Sequence, residues 1–285
     1  MNAFTDVAVI MNKIADKGLL FDVSTSRVMT DFGLVHGKKA IIHGETKEAL
    51  GIVGRGYKVV SNAEIFESFA ESIVTSKLDT TDMEVNVLST PTRSRSIVDF
   101  TFPAERFQVD HDASATALSI TALNSYDGST RFVAKAGGLR IKCMNGQIIG
   151  NIAGSYSSTH TKSLDVGTGA QRVMQMIQDF QSSKEYFGKM MARRIELYEA
   201  REVLLRFLNL DVNAAESRDN KRFIKLMSRF IEYTYEMGLN VYALYNCLTD
   251  YVSHATPRNA DTAAVNALNN RRKLEKYLAS EEMFS

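Results

Sequence analysis

Two hydrophobic periods divide this sequence, and their order is its strongest constraint. Period-two alternation, the mark of a half-buried strand, recurs between residues 83 and 150. Spacing of three to four residues, the mark of an amphipathic helix, takes over from about residue 167. Strands first and helices after argue for an α+β fold and against a doubly wound α/β fold. The expected architecture is an N-terminal antiparallel β-sheet packed on a long amphipathic helix, followed by a helical C-terminal region. Residues 1–165 form the mainly antiparallel sheet region with one or two helices, and 166–285 the helical region packed on it, as two domains or one continuous one.

The strand section is organised around residues 122–150. Leu118, Ile120 and Ala122 alternate with Ser119, Thr121 and Leu123. Asp127-Gly128 then supplies a turn, because glycine takes positive φ freely and aspartate bonds its own backbone. Arg131 to Lys135 is expected as the return strand, broken at Gly137-Gly138. Leu139, Ile141 and Cys143 alternate with Arg140 and Lys142, and Asn145-Gly146 closes the run as a turn. Upstream, Val98, Phe100 and Phe102 share one side of a strand whose start carries Arg93 and Arg95, and Phe107 and Val109 continue it past Pro103. Residues 83–88 form another strand. Nearer the N-terminus, residues 4–16 suggest a short amphipathic helix, and 27–44 read as extended segments around a His36-Gly37 turn. Ser61 and Glu64 have capping-box spacing ahead of a helix lined by Ile65, Phe66, Phe69 and Ile73. Downstream, Val173 to Ile195 marks a long helix over about 167–199. Further helices follow at Phe223 to Ile231, ended near Gly238, at Val241 to Val252, and at Val265 to Leu278.

Composition narrows the function classes. Hydrophobic content of 45% and charged content of 24% suit a globular chain with a full core. The net charge is only +1, so any nucleic-acid reading must rest on a local patch. Cys143 and Cys247 are far apart and lack metal-ligand spacing, which fits free thiols in a reducing compartment. The first residues lack a signal-peptide layout and no run is long enough for a membrane span, so a cytoplasmic protein is expected.

The positive signal is a basic strand face. Arg93, Arg95, Arg131, Lys135, Arg140 and Lys142 interleave with Asn124, Asn145 and other polar donors, and Tyr57, Tyr126 and Phe132 could offer stacking surfaces. His160 and Lys162 stand nearby in a polar cluster. Cations that track phosphates, with rings that stack bases, suit single-stranded nucleic acid. The competing reading is an ordinary solvated sheet face with ion pairs to the helices. Gly51, Gly54 and Gly56 lack the spacing of a phosphate-binding loop, and Gly54 and Gly56 read as a bulge or turn. Asp110-His111-Asp112 reads as a solvated turn, because neighbours on a strand point to opposite faces. No cofactor and no metal site is expected. His160 with Asp127 remains a candidate acid–base pair for an enzyme on nucleic acid, although no catalytic motif is present.

Five segments also occur in the order seen in a known family. They are Gly56-Tyr-Lys-Val-Val-Ser-Asn62, Asn124-Ser-Tyr-Asp-Gly-Ser129, Arg140-Ile-Lys-Cys-Met-Asn145, Thr159-His-Thr161, and Tyr245-Asn-Cys-Leu-Thr-Asp-Tyr251 with His254. The chain thereby resembles the phage/plasmid-like family carrying the domain of unknown function 932, over roughly residues 50–280. The family often places a basic residue directly before the histidine, where Thr159 stands here. The resemblance implies a protein of bacteriophages, plasmids or integrated elements, working in the bacterial cytoplasm. Such elements often carry single-strand annealing proteins. The expectation is therefore a non-catalytic single-stranded DNA-binding protein that promotes annealing or recombination as a homo-oligomer. The alternatives are an inhibitor that binds a host protein, or a nucleic-acid-processing enzyme.

Overall fold

The longest strand shows why the chain folds as it does. In a computed structural model, which describes residues 7–80, 82–140, 145–147, 155–180, 183–211, 221–254 and 263–284, β5 runs Arg95–Gln108. Its neighbours are β4 (Glu84–Ser89), β6 (Ala115–Ser125), β7 (Phe132–Arg140) and β8 (Asn145–Gln147), all antiparallel in the order β4-β5-β6-β7-β8. β9 (Ser155–Ser158) pairs with β7 as well. A separate three-stranded antiparallel sheet is built from β1 (Val23–Thr30), β2 (Gly33–His43) and β3 (Ala49–Gly54). The described helices are α1 (Val7–Ala15), α2 (Asn62–Thr75), α3 (Val166–Phe180), α4 (Ser183–Ala192), α5 (Leu197–Leu208), α6 (Lys221–Met237), α7 (Val241–Ser253) and α8 (Ala263–Ser280). The fold is α+β, as the order of periods implies.

One face of the large sheet carries Val98, Phe100, Phe102, Leu118, Ile120, Ala122, Phe132 and Ala134 into the main core. Helix α2 lays Ile65, Phe66, Phe69 and Ile73 on it, and Phe69 stacks on Phe100 at 6.5 Å and meets Phe132 edge-on at 6.4 Å. Each such ring removed from water contributes about 2–3 kcal/mol. Ser61 starts α2 by accepting the Glu64 amide at 3.0 Å. The same core continues through Phe180, Phe187 and the almost wholly buried α7 to Phe284. Apolar packing therefore does not divide at residue 165. A second small cluster of Phe21, Ile41, Leu50, Val53 and Tyr126 seats the three-stranded sheet on the body.

Several boundaries differ from the sequence reading. The helix expected over 167–199 is described as α3 and α4, with residues 181 and 182 between them outside the described residues, and it stops at Ala192 rather than running to 199, ahead of a separate α5. After α4 the backbone leaves the helix to pair with the segment before α7: Ile195 N donates to Leu239 O, Val241 N donates to Arg193 O, and Arg194 bridges Asn240. Glu196 and Glu199 then form a capping box at the start of α5. Gly137-Gly138 does not break β7. Both glycines sit in register with Ser119 and Leu118, and the ladder is made by backbone groups that glycine retains. Asn145-Gly146 is strand, paired with Arg140 and Leu139, not turn. The alternation expected through Ile141 and Cys143 lies outside the described residues. His36-Gly37 does not reverse the chain. The hairpin turns at Asp31-Phe32, and Gly37, at φ 73°, sits where the β1–β2 register slips.

Candidate functional site

The cations expected on one strand face divide between two: Lys135 lies with Thr121 and Asp99 on the side under α8, whereas Arg140, paired with Thr116, falls on the core side with Phe132 and Ala134, and ion pairs neutralise both inside the fold. Lys135 donates to Glu275 of α8 at 2.6 Å, and Arg95 to Asp127 at 2.6 Å. Arg271 of α8 reaches Asp99 at 3.5 Å, so the polar last helix lies over this side of the sheet by ion pairing. Arg140 is 1% exposed and grips Asp112 with two nitrogens at 2.7 and 3.0 Å. Glu236 lies 3.4 Å away, the Tyr242 hydroxyl donates to Asp112 at 3.1 Å, and the Tyr233 ring faces the guanidinium. A phosphate could reach Arg140 only by breaking this buried pair. Arg93, on the β4–β5 turn, donates to Gly18 O at 2.8 Å. Arg131 is exposed. Lys142 lies outside the described residues, as does the side chain of Asn145, whose backbone is in β8.

Three of the five sequence segments converge elsewhere, where the three-stranded sheet meets the body. The Tyr57 and His160 rings stack at 4.6 Å with 9° between planes. The backbone ties them further: Lys58 N donates to His160 O at 2.8 Å, and His160 Nδ1 lies 3.2 Å from Lys58 O. Because a carbonyl only accepts, Nδ1 carries the proton and Nε2 presents a lone pair. That Nε2 is buried without a protein partner. Burial lowers the His160 pKa, against the opposing bond to the Lys58 carbonyl, and keeps the ring neutral. Tyr57 donates its hydroxyl to Ser125 O at 2.6 Å. Burial pushes its pKa up to about 12; the Ser125 hydroxyl opposes this and the Asp127 charge adds to it.

Behind the stack runs an amide network. Asn124 donates to Asn62 Oδ1 at 2.9 Å and to Val60 O at 3.2 Å. Asn62 donates its side-chain amide to Leu19 O and its backbone N–H to the Tyr126 hydroxyl at 2.8 Å. Burial raises the Tyr126 pKa well above the usual phenol range. The expected roles of Asn124 and Tyr126 thus meet a buried setting: both hold the junction together. The Asp127 turn fits because Gly51 of β3 lies against it, and a Cβ at Gly51 would overlap the Asp127 backbone. Asp127 also accepts the Ser129 amide. No hydrogen bond joins it to His160, so the candidate acid–base pair is not assembled.

Free positive charge borders this junction. The β7–β9 register pairs Phe132 with Ser158, which sets Arg131 one step beyond that pair, beside Thr159 and His160. Lys162 is exposed two residues after His160, and Arg55 two residues before Tyr57. On the three-stranded sheet Arg27, Lys39 and Val53 are cross-strand partners; Val53 is buried, so this face turns toward the body. Lys39 donates to Tyr57 O at 2.8 Å. Two like charges directly opposite cost stability unless an anion lies near. Among the described residues, no carboxylate pairs with Arg27, Lys38, Arg55, Arg131 or Lys162. The sequence reading missed Arg27, Lys38, Lys39 and Arg55. The only sequence signal was basic residues in and just after extended segments, which says nothing of where that sheet docks.

Asp110-His111-Asp112 is a turn, with the Asp110 side chain 87% exposed and that of Asp112 fully buried. Among the described residues, no three His, Cys, Asp or Glu side chains converge to hold a metal ion. Among them too, no helix is long and apolar enough to cross a membrane. No curated protein and no solved structure matches the chain. The family described as Domain of unknown function (DUF932) matches residues 49–276, which takes in the part of the junction from Gly51 to Lys162 and most of the helices behind it, while β1 and β2 precede the match. With most of its length matched, this chain belongs to the DUF932 family.

Proposed function

We propose that this protein binds single-stranded DNA and promotes strand annealing or recombination without chemistry of its own. The observation that carries the reading is the group of cations without carboxylate partners, Arg27, Arg55, Arg131 and Lys162, beside the Tyr57–His160 junction. Annealing requires charge neutralisation and accessible bases, not a nucleophile. The phosphate-tracking role moves from Lys135 and Arg140, which are held in ion pairs, to Arg131, Lys162 and the three-stranded sheet. Assembly as a homo-oligomer belongs to the same proposal, supported by β1, an edge strand open to pairing with another chain. The proposed setting is a bacteriophage or other mobile element, acting in the bacterial cytoplasm.

The test is fluorescence anisotropy of labelled single- and double-stranded oligonucleotides over a salt series. The expected result is preferential single-strand binding that weakens steeply with salt. Replacing Arg55, Arg131 and Lys162 together by Glu should flatten the slope of log affinity against log salt by about 2, at roughly 0.7 per phosphate contact on a single strand. Absence of binding at low salt would overturn the proposal. A second reading, binding to a host protein, is favoured by Ile224, Ile231 and Tyr235, exposed on α6. A stable host complex that is independent of DNA would support it.

A further inference from the structure

We propose that the tip of the β1–β2 hairpin is a stacking wedge for unpaired bases, an inference that rests on the function proposed above. The link between the strands is the two-residue step Asp31-Phe32. Turn positions like these usually hold Gly, Asn or Asp, whose backbones accept the geometry. Here Phe32 is 100% exposed, and Met29 and Leu34, cross-strand partners just below it, are 62% and 40% exposed. Gly33, at φ 122°, absorbs the backbone demand, so the turn itself does not require an aromatic ring. A phenylalanine whose whole ring stands in water contributes nothing to this fold, and its apolar area favours burial against a partner.

Charge selects the partner. Cations without carboxylate partners flank the sheet that carries the tip: Arg27 on the face it shares with Lys39 and Val53, Lys38 on the opposite face, and Arg55 directly after β3. These cations draw the phosphates of a single strand to the hairpin, and the strand's unpaired bases can then stack on the exposed ring at the apex. Asp31 stands beside Phe32 and repels phosphate, so the tip meets bases and not backbone. A lipid surface would have to bury the Asp31 carboxylate along with the ring, whereas a stacked base leaves it in water.

The probe is a thymidine-rich single strand carrying one 2-aminopurine. The native protein should quench its fluorescence on binding. Phe32→Ala should lose the quench and bind about tenfold more weakly, with the salt slope unchanged, because stacking and not phosphate contact is removed. Phe32→Tyr should keep both quench and affinity. Binding by Phe32→Ala with native affinity and native quench would overturn the wedge while leaving the DNA-binding reading intact. Absence of binding by the native protein would overturn both. If Phe32→Ala instead breaks up a DNA-free assembly in sedimentation velocity, the tip contacts a second copy of the chain and the wedge is refuted.

Discussion

Substituting Arg140 distinguishes an architectural cation from a binding one. Arg140 of β7 and Asp112, in the turn before β6, are both essentially removed from water, with side chains 1% and 0% exposed. Two guanidinium nitrogens meet the two carboxylate oxygens at 3.0 and 2.7 Å. Arg140→Ala leaves the Asp112 carboxylate buried, with the Tyr242 hydroxyl and the Ser114 amide as remaining donors. Breaking a buried pair from one side costs about 3–5 kcal/mol, mostly the cost of the charge left behind. With a urea slope of about 3 kcal/mol per M, the midpoint should fall by more than about 1 M. Asp112→Ala should cost a similar amount, and the double variant less than the sum by about 2 kcal/mol, since each single change strands the other charge. Circular dichroism in urea on the three variants measures this. A midpoint drop below about 0.3 M for Arg140→Ala, with DNA affinity reduced at unchanged stability, would refute the structural role and return Arg140 to the interface.

Two further perturbations test the junction. Gly51→Ala should destabilise the protein by about 3 kcal/mol and lower DNA affinity with it, because the new Cβ meets the Asp127 backbone and pushes the three-stranded sheet off the body; thermal melts and anisotropy on the same sample check both effects. His160 has its pKa lowered in the fold, so the unfolded chain takes up a proton near pH 6.5 that the folded chain refuses. Its contribution is therefore complete above pH 6.5 and is lost as pH falls below that. The melting temperature of the native protein should drop more steeply from pH 7.5 to 5 than that of His160→Gln, and parallel profiles would show that the ring titrates freely.

Local pattern made much of this protein legible. Alternation marked β5 and β6, three-to-four spacing marked α2, α6 and α7, and Ser61 fixed the start of α2, because each signal depends on neighbours within one or two turns of chain. Family membership was legible too, from five short segments in order. The sequence could not show that the polar surface of α8 would neutralise Lys135, or that Asp112 would claim Arg140. Those partners lie 140 and 28 residues away, and only chain folding decides which charge meets which. The strand face that looked open and basic holds Lys135 under α8, while Arg140 falls on the opposite, core side, because only the register of the whole strand decides which residue faces inward. Conversely, Arg27, Lys39 and Arg55 became a candidate surface only when Gly51 let β3 close on the Asp127 turn and brought the small sheet against Tyr57 and His160. Sequence determined the elements and the charges they carry. Tertiary packing decided which charges are satisfied within the fold and which are left facing solvent.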